Sequence, residues 1–323
     1  RPSRRRTVGI LLLALRSSTL AAFAAAAGAK VTLIERTRDG GRKILISGGG
    51  RCNVLPSVAA PERFVTDSPA YLLRAMLRSW PLHEQRAFFE DELGIALALE
   101  EESGKLFPRS NRARDVRDAL VRFAESKGAA LRFGTTVTSL SRTVGGFTLD
   151  TSGGALECSR VVLATGGLSV PATGSDGIGL RVAQALGHEL VDPYPALTPL
   201  LAAGDRHASL SGISLNVRLR STDGARAIET VGGFLFTHRG YSGPSVLDIS
   251  HVTARGAAPA IRVQWAALRD EELMSTSGDA VAAILSRHVP NRLAERLMTE
   301  CGIPLDRRTS SLKRAERVAL IEA

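Results

Sequence analysis

The sequence predicts a protein of the α/β class, with a β-rich part and a small helical segment towards its end. Three features support this prediction. An apolar strand, a helix and a second apolar strand follow one another within the first 36 residues. A later apolar segment, "RVVLATGG" (160–167), ends in two glycines, as strands do when their carboxyl ends meet a ligand in an open sheet. From about residue 190 the chain becomes extended and punctuated by prolines.

The N-terminal segment predicts a βαβ unit. "TVGILLLAL" (7–15) is typical of a buried strand, and "SSTLAAFAAAAG" (17–28) of a helix that begins at a serine cap and ends at Gly28. "KVTLIER" (30–36) is rich in β-branched residues and predicts a second buried strand. Such a unit packs as a parallel strand pair joined by a right-handed crossover.

Glu35 stands near the end of the second predicted strand. Dinucleotide-binding folds place a carboxylate there, about twenty residues after the first strand, to accept hydrogen bonds from ribose hydroxyls. A solvated strand end is the alternative, and the preceding βαβ unit favours the functional interpretation. The glycine-rich turn of such folds, G-x-G-x-x-G, is absent, since its positions correspond to Leu12, Ala14 and Ser17. Leu12 would obstruct the tight turn that admits a pyrophosphate to the helix N-terminus.

Helices and short strands alternate after this unit. Helices are predicted at 68–80, 81–94 and 111–128, and at the end of 169–187. Five short strands are predicted between 129 and 165, where glycine pairs are typical of hairpin turns.

The second half predicts strands first and helices afterwards. Strands are predicted at 214–221, 229–238 and 257–265, and two helices on either side of Pro290. We therefore divide the chain into a nucleotide-binding domain (1–190), a β-rich domain (191–265) and a helical segment (266–323).

Composition narrows the classes of protein. Apolar residues make up 44% of the chain and charged residues 23%, which indicates a folded domain rather than a disordered chain. The formal charge of +10 would suit a nucleic acid, but the few aromatic residues (5%) are not interleaved with basic runs. We therefore expect no nucleic-acid partner. The apolar N-terminal stretch mimics a signal peptide, but Arg16 interrupts it, so we also expect no membrane span.

The cysteines and histidines show no metal-binding spacing. Cys52, Cys158 and Cys301 lie far apart without a C-x-x-C motif, and the six histidines form neither H-x-x-x-H nor H-E-x-x-H. We therefore expect no metal site and no structural disulfide, which fits a cytoplasmic protein.

The segment "GGRKILISGGGRCNV" (40–54) carries the strongest indication of a ligand. Gly48, Gly49 and Gly50 would let bare backbone approach a ligand closely, and Arg42, Lys43 and Arg51 flank them. Cations around such a turn indicate an anionic ligand. A flexible surface loop is the alternative for the glycines taken alone.

These segments together resemble a bacterial family of NAD(P)/FAD-dependent oxidoreductases, also called BaiN-type or aminoacetone-oxidase-like flavoproteins. "GRKILISGGGRCN" resembles the family's signature. Three further stretches fit the family in the expected order: "GKLFPRSNRARDV" (104–116), "LATGGLSVPATGSDGIGLRVAQALGH" (163–188) and "GGFLFTHRGYSGPSVLDIS" (232–250). The resemblance implies a Rossmann-like FAD-binding domain with a β-rich, barrel-like insert domain and a small helical segment. It also implies that this chain lacks the family's last segment, which returns to the FAD domain.

The resemblance implies FAD as the cofactor. Glu35 would hold the adenosine ribose, and the backbone of Val137 would meet the adenine. The amide groups of residues 48–50 would form an anion nest around the ribityl-pyrophosphate portion. The implied cofactor-binding residues are Glu35, Arg36, Arg42, Lys43, Ser47, Gly48, Gly49, Gly50, Arg51, Cys52, Asn53, Val137, Ala164, Thr165, Gly166 and Gly167.

No side chain is a strong catalytic candidate, because a flavin itself carries the hydride or electron transfer. His238 and Tyr241 are candidates for the substrate side. The alternative for their loop is a simple turn from a strand into a helix at Pro244. Cys52 is either a thiol activated by Arg51 or a buried, inert one.

The sequence thus predicts a FAD-dependent oxidoreductase acting on a small organic substrate, with NAD(P)H left open as electron donor. Two alternatives stay open. One is an incomplete or degenerate family member that binds no flavin, and the other is a basic, nucleic-acid-associated protein. The sequence predicts neither the substrate nor the oligomeric state.

Overall fold

The computed structural model describes residues 9–13, 17–204, 207–224, 226–254, 259–274 and 278–323, and for 9–13 the backbone alone. It divides the chain into two compact units, Arg1–Val191 and Asp192–Ala323. Ala14, one of the positions where a glycine was expected, lies outside the described residues, as does the side chain of Leu12.

The described residues of the first unit form helices and three sheets. Its strands are β1 (Gly9–Leu13), β2 (Lys30–Glu35), β3 (Leu55–Pro56), β4 (Leu97–Glu100), β5 (Lys105–Pro108), β6 (Ala130–Phe133), β7 (Val137–Thr143), β8 (Gly146–Thr151), β9 (Gly154–Cys158) and β10 (Arg160–Leu163). Its helices are α1 (Ser18–Ala26), α2 (Arg42–Ile46), α3 (Ala70–Ser79), α4 (Leu82–Ala87), α5 (Ala113–Ser126) and α6 (Ile178–Ala185).

A parallel sheet with the order β10-β1-β2-β6 lies at the centre of this unit. The predicted βαβ unit is confirmed, because β1 and β2 pair in parallel and α1 joins them. Successive side chains of β2 point to opposite faces of the sheet. Val31 and Leu33 pack with helices α1 and α5, whereas Ile34 packs with the hairpin strands.

The predicted hairpins are also confirmed, since β7, β8 and β9 form one antiparallel sheet. Leu149 of β8 is fully buried and packs against Ile34 of the parallel sheet. The parallel sheet is therefore covered by helices on one face and by a small sheet on the other. A third sheet, β3-β5-β4, follows the triple-glycine segment in the chain.

The second unit consists of one antiparallel sheet and several short helices. Its strands are β11 (Leu200–Leu201), β12 (Ser214–Asp223), β13 (Arg226–Thr237), β14 (Gly240–Ser242) and β15 (Arg262–Gln264), in the order β11-β14-β13-β12-β15. Its helices are α7 (Pro244–Ile249), α8 (His251–Ala254), α9 (Asp270–Leu273), α10 (Val281–Leu285), α11 (Asn291–Glu300) and α12 (Arg314–Glu322).

Strands and helices of the second unit share one hydrophobic core. Leu219 and Phe236 enter it from the sheet, and Ile284, Leu293 and Met298 enter it from the helices. The segments 191–265 and 266–323, which the sequence analysis separates, thus bury their apolar side chains together. The described helices include none long and apolar enough to cross a membrane.

Candidate functional site

A cleft in the first unit lies where the carboxyl ends of the parallel strands meet. It encloses about 980 Å³, open solvent at its mouth included. Residues from the ends of β2, β6 and β10, from α2 and from the start of α6 form its lining: Ile34, Glu35, Arg36, Gly41, Arg42, Lys43, Ile44, Thr135, Thr136, Val137, Thr165, Thr173, Gly174, Ser175, Asp176, Ile178, Gly179 and Val182. Ligands of open α/β sheets bind at this edge.

Glu35 is the last residue of β2 and is buried, with 8% of its surface exposed. Its Oε1 accepts hydrogen bonds from the backbone N–H and the hydroxyl of Thr37, both at 2.8 Å. These bonds fix the carboxylate at the head of the cleft. An ionised carboxylate only accepts hydrogen bonds, so a ligand group bound to it has to be a donor.

Two cations of the cleft are bound by the segment 169–176. The Lys43 ammonium donates to the backbone carbonyl of Ser169 at 2.7 Å, to the Ser169 hydroxyl and to the Ser175 hydroxyl at 3.2 Å. Arg36 forms an ion pair with Asp176 at 2.7 Å. The hydrogen bond from Arg36 holds the pKa of Asp176 below its ordinary value. The protein's own oxygens therefore partly satisfy the charge of this cleft.

Glycines allow the wall of the cleft to pack closely. A Cβ at Gly179 would lie 2.2 Å from the Thr165 hydroxyl oxygen. Gly166 has a positive φ of 76°, and a Cβ there would lie 2.7 Å from the Ser175 hydroxyl. The "ATGG" turn after β10 and the start of α6 thus approach more closely than larger residues permit.

The triple-glycine segment forms a tight 3-10 turn, Ser47–Gly50, directly after α2. Gly48 and Gly49 are exposed and have φ values of 55° and 68°, in the left-handed region. A Cβ at Gly48 would also lie 2.8 Å from the Phe107 ring. Arg51 stacks on that ring at 4.2 Å and pairs with Glu100 at 2.8 Å. These contacts fasten the turn to the sheet β3-β5-β4.

Cys52 is buried beside this turn, with 6% of its surface exposed. Burial raises the pKa of its thiol, and a hydrogen bond with Ser47 opposes the shift only in part. The thiol is therefore protonated at neutral pH, and the structure favours the inert thiol over the activated one.

The cleft brings together six of the predicted cofactor-binding residues: Glu35, Arg36, Arg42, Lys43, Val137 and Thr165. It does not include Ser47, Gly48, Gly49, Gly50, Arg51, Cys52, Asn53, Ala164, Gly166 or Gly167. Sequence reasoning did not assign the segment 173–179, which supplies a large part of the lining. The glycine-rich sequence of this segment, "TGSDGIG", could have indicated a close approach of the backbone at this site.

The substrate-side candidates His238 and Tyr241 lie in the second unit. His238 is exposed in the turn between β13 and β14. The hydroxyl oxygen of Tyr241, on β14, lies 2.7 Å from Nδ1 of His207. Nε2 of that histidine lies 2.9 Å from Oε1 of Glu300. With Nε2 protonated towards Glu300, the Tyr241 hydroxyl donates to Nδ1. The described residues contain no group of three or more acidic, histidine or cysteine side chains placed to hold a metal ion.

Comparisons with known proteins agree with this architecture. Residues 17–307 match the family model described as HI0933-like protein Rossmann domain. The chain is 32% identical over 295 residues to the ribosomal RNA dihydrouridine synthase of Escherichia coli (strain K12), which covers 88% of this chain and 71% of that protein. It is 29% identical over 244 residues to the 3-dehydro-bile acid delta(4,6)-reductase of Clostridium scindens, covering 74% of this chain and 59% of that protein.

Among solved structures, the chain is similar to L-proline dehydrogenase from P. horikoshii. The identity is 13% and the TM-score 0.40, with 82% of this chain and 83% of that chain covered. The family model spans most of the chain, and the resemblance to BaiN-type oxidoreductases is thereby confirmed. This chain belongs to the HI0933-like Rossmann-domain family.

Proposed function

We propose that this chain is a FAD-dependent oxidoreductase that holds the adenosine end of the flavin nucleotide in the cleft of its first unit. The observation that carries the proposal is the placement of Glu35. This carboxylate is buried at the carboxyl end of a central parallel strand and lines the cleft. In dinucleotide-binding folds, a carboxylate at this position accepts hydrogen bonds from the ribose hydroxyls of the bound nucleotide.

The remaining lining fits a nucleotide. Ile34, Val137, Ile178 and Val182 offer apolar walls to an adenine ring. Thr135 and Thr136 add hydroxyl groups to the lining, while their backbone N–H groups donate to the Glu35 carbonyl and to the Ser152 hydroxyl. When bound, the flavin would supply hydride or electron transfer.

The cations of this region would bind the diphosphate of the cofactor. Arg42 and Lys43 lie at the start of α2 and line the cleft, and the triple-glycine turn begins where that helix ends. A helix rises about 1.5 Å per residue, so the turn begins about 6–8 Å along the helix axis from these cations. We keep Gly48, Gly49 and Gly50 as proposed contacts of the diphosphate, and Gly166 and Gly167 as proposed neighbours of the cofactor.

The substrate is proposed as a class. The relatives' names give two classes, a bile acid for the Clostridium scindens protein and a ribosomal RNA for the Escherichia coli protein. A small organic molecule is the class expected from the sequence. RNA is the second candidate, favoured by the formal charge of +10 and by the larger share of this chain that matches the Escherichia coli protein. NAD(P)H stays a proposed electron donor.

The proposed location is the cytoplasm. All three cysteines are free thiols, which fits a reducing compartment.

Flavin binding tests the proposal directly. The purified chain is incubated with FAD, desalted and examined for visible flavin absorbance, and its affinity is measured by titration. Glu35→Gln keeps the size of the side chain but weakens its acceptors, and hydrogen bonds to charged groups contribute about 1.5–3 kcal/mol each. We therefore expect an affinity roughly tenfold to a hundredfold lower than that of the unmodified chain.

The matched control is Glu157→Gln, which makes the same change at an exposed position on β9. Its flavin affinity should equal that of the unmodified chain. If the unmodified chain stays colourless after incubation with FAD, the alternative of a family member that binds no flavin replaces this proposal. If Glu35→Gln binds FAD as tightly as the control, the cleft is not the adenosine site.

A further inference from the structure

A second concave surface lies in the second unit, where residues of β12 and β15 and of helices α10, α11 and α12 line it. This groove encloses about 1,020 Å³, open solvent included. Its apolar floor is formed by Leu285, Val289, Leu297 and Leu320, and its rim by Arg218, Arg220 and Arg262. Trp265 also lines it and stacks on Phe236, with ring centroids 5.5 Å apart and an interplanar angle of 20°.

Two of the rim arginines face each other across a strand pair. Arg220 of β12 is the direct register partner of Arg262 of β15. Like charges directly opposite each other in an antiparallel pair destabilise a sheet, typically by about 0.2–1 kcal/mol. A bound anion between them would turn this repulsion into two favourable contacts.

The acidic groups nearby do not neutralise this pair fully. Glu229 of β13 is shared between Arg218 and Arg220, with a distance of 2.8 Å to Arg220. Arg262 has no ion-pair partner among the residues that the structure describes. His288 of the groove is engaged by Glu272 at 2.8 Å, and Glu322 on α12 contributes one more carboxylate to the lining. Two guanidinium groups thus share one carboxylate, and the third, that of Arg262, has no such partner among the described residues.

We propose that this groove binds single-stranded RNA, with backbone phosphates on Arg220 and Arg262 and a base over the apolar floor. Guanidinium groups pair with phosphate oxygens in a bidentate manner, and unpaired RNA bases enter apolar or aromatic pockets. An acidic peptide would use the arginines but not the apolar floor. The inference rests on the proposed function, because it names RNA as the substrate class of the oxidoreductase.

RNA binding is measured by the fluorescence anisotropy of a labelled single-stranded RNA of about twelve nucleotides, a length that suits one binding groove. The titration is repeated over a series of salt concentrations. We expect R220Q/R262Q to weaken binding at least tenfold at low salt. The slope of log affinity against log salt should become shallower by about 1.4, because each phosphate contact on a single strand contributes about 0.7.

The matched control is R292Q/R314Q, which removes two exposed arginines of the same unit outside the groove. It should bind within about twofold of the unmodified chain, since the net charge falls equally in both variants. The melting temperature of R220Q/R262Q should stay close to that of the unmodified chain, because removing the like-charge pair offsets the loss of the exposed Arg220–Glu229 ion pair. Weaker binding at an unchanged melting temperature would then not reflect unfolding.

Three outcomes overturn the inference. The unmodified chain fails to bind the RNA, the two double variants weaken binding equally, or polyglutamate competes as well as RNA at equal charge. Flavin absorbance is recorded on the same samples. If the unmodified chain binds FAD but not the RNA, this inference alone is contradicted. If the unmodified chain binds the RNA but not FAD, the proposed function alone is contradicted.

Discussion

The cleft of the first unit and the groove of the second differ in how the chain treats its own cations. In the cleft, Arg36 is paired with Asp176 and Lys43 is held by Ser169 and Ser175. In the groove, Arg220 shares Glu229 with Arg218 and stands opposite Arg262, which has no ion-pair partner among the described residues. A formal charge of +10 therefore does not say where cations are available to a ligand. Strand register decides that.

The two regions also differ in what supports them. The wall of the cleft depends on glycines and on polar contacts of a loop segment, 165–179. The groove adjoins an aromatic cluster of the core. In this cluster the ring centroid of Phe236 lies 5.0 Å from that of Phe234 and 5.5 Å from that of Trp265. We therefore expect that ligand binding in the groove is lost when the core unfolds. In the cleft, small steric changes in the wall should be enough to weaken ligand binding.

The largest effect is expected for Phe236→Ala. Phe236 is 1% exposed and belongs to the core shared by the strands and helices of the second unit. Replacing a buried phenylalanine with alanine costs about 3–5 kcal/mol of unfolding free energy. Urea unfolding followed by tryptophan fluorescence should show an earlier transition, and RNA binding should be lost with it.

Val231→Ala on the same strand is the control, because Val231 is 63% exposed. Its unfolding free energy should change by less than about 0.5 kcal/mol. Flavin binding should persist in Phe236→Ala at urea concentrations where the second unit is unfolded, since the first unit has its own cores. If the flavin signal disappears together with the urea transition of the second unit, flavin binding by the first unit is not independent of the core of the second.

A smaller effect is expected for Gly179→Ala in the cleft. The added Cβ would lie 2.2 Å from the Thr165 hydroxyl oxygen, so the wall must shift. Overpacking of this kind costs about 1–3 kcal/mol. Thermal unfolding and FAD titration should both report the loss. The double variant Gly179→Ala with Thr165→Ala should recover most of it, because the second change removes the clashing oxygen.

Gly167→Ala is the matched control for this prediction. A Cβ there has no neighbour within 4 Å, and Gly167 is exposed. Its stability should change by less than about 0.5 kcal/mol. Equal destabilisation by Gly167→Ala and Gly179→Ala would mean that the close approach to Thr165 is not the cause.

The parallel sheet and the hairpins could be predicted because their patterns are local. "KVTLIER" is long enough and apolar enough to be a buried strand, and the glycine pairs mark the turns between β7, β8 and β9. Helix α2 (Arg42–Ile46) was not predicted, since five residues are too few to show a helical period. Helix α12 (Arg314–Glu322) was missed as well, although its hydrophobic spacing was available.

The site could be predicted only in part, because its residues converge through tertiary structure. Glu35 could be predicted because it stands at the end of the second strand of the βαβ unit, where dinucleotide-binding folds place a carboxylate. The lining by 173–179 depends on close packing of Gly179 against Thr165, which no spacing rule reveals. Basic runs interleaved with aromatic residues are absent from the sequence, and no nucleic-acid partner was therefore expected. The groove instead assembles its arginines from two strands, β12 and β15.

The smallest effect is expected for Asp176→Asn, which tests the neutralisation of the cleft. Arg36 lowers the pKa of Asp176 by donating a hydrogen bond to the carboxylate. A lowered pKa in the folded state means that the pair stabilises the protein above the ordinary aspartate pKa of about 4. That contribution is lost as the pH falls through the lower pKa of the folded state. The pair is partly exposed, with side chains 42% and 30% accessible, so it contributes less than about 1 kcal/mol.

Melting temperatures from about pH 7 down to about pH 3 should therefore fall less steeply for Asp176→Asn than for the unmodified chain. Asp306→Asn, at an exposed position without an ion-pair partner among the described residues, should keep the original slope. The same change would leave the Arg36 charge uncompensated in the cleft, so FAD should bind more tightly, by at most about fivefold for 1 kcal/mol. Weaker FAD binding by Asp176→Asn would show that the ion pair shapes the cleft instead of competing with an anion, and the contrast between the two regions would then rest on the groove alone.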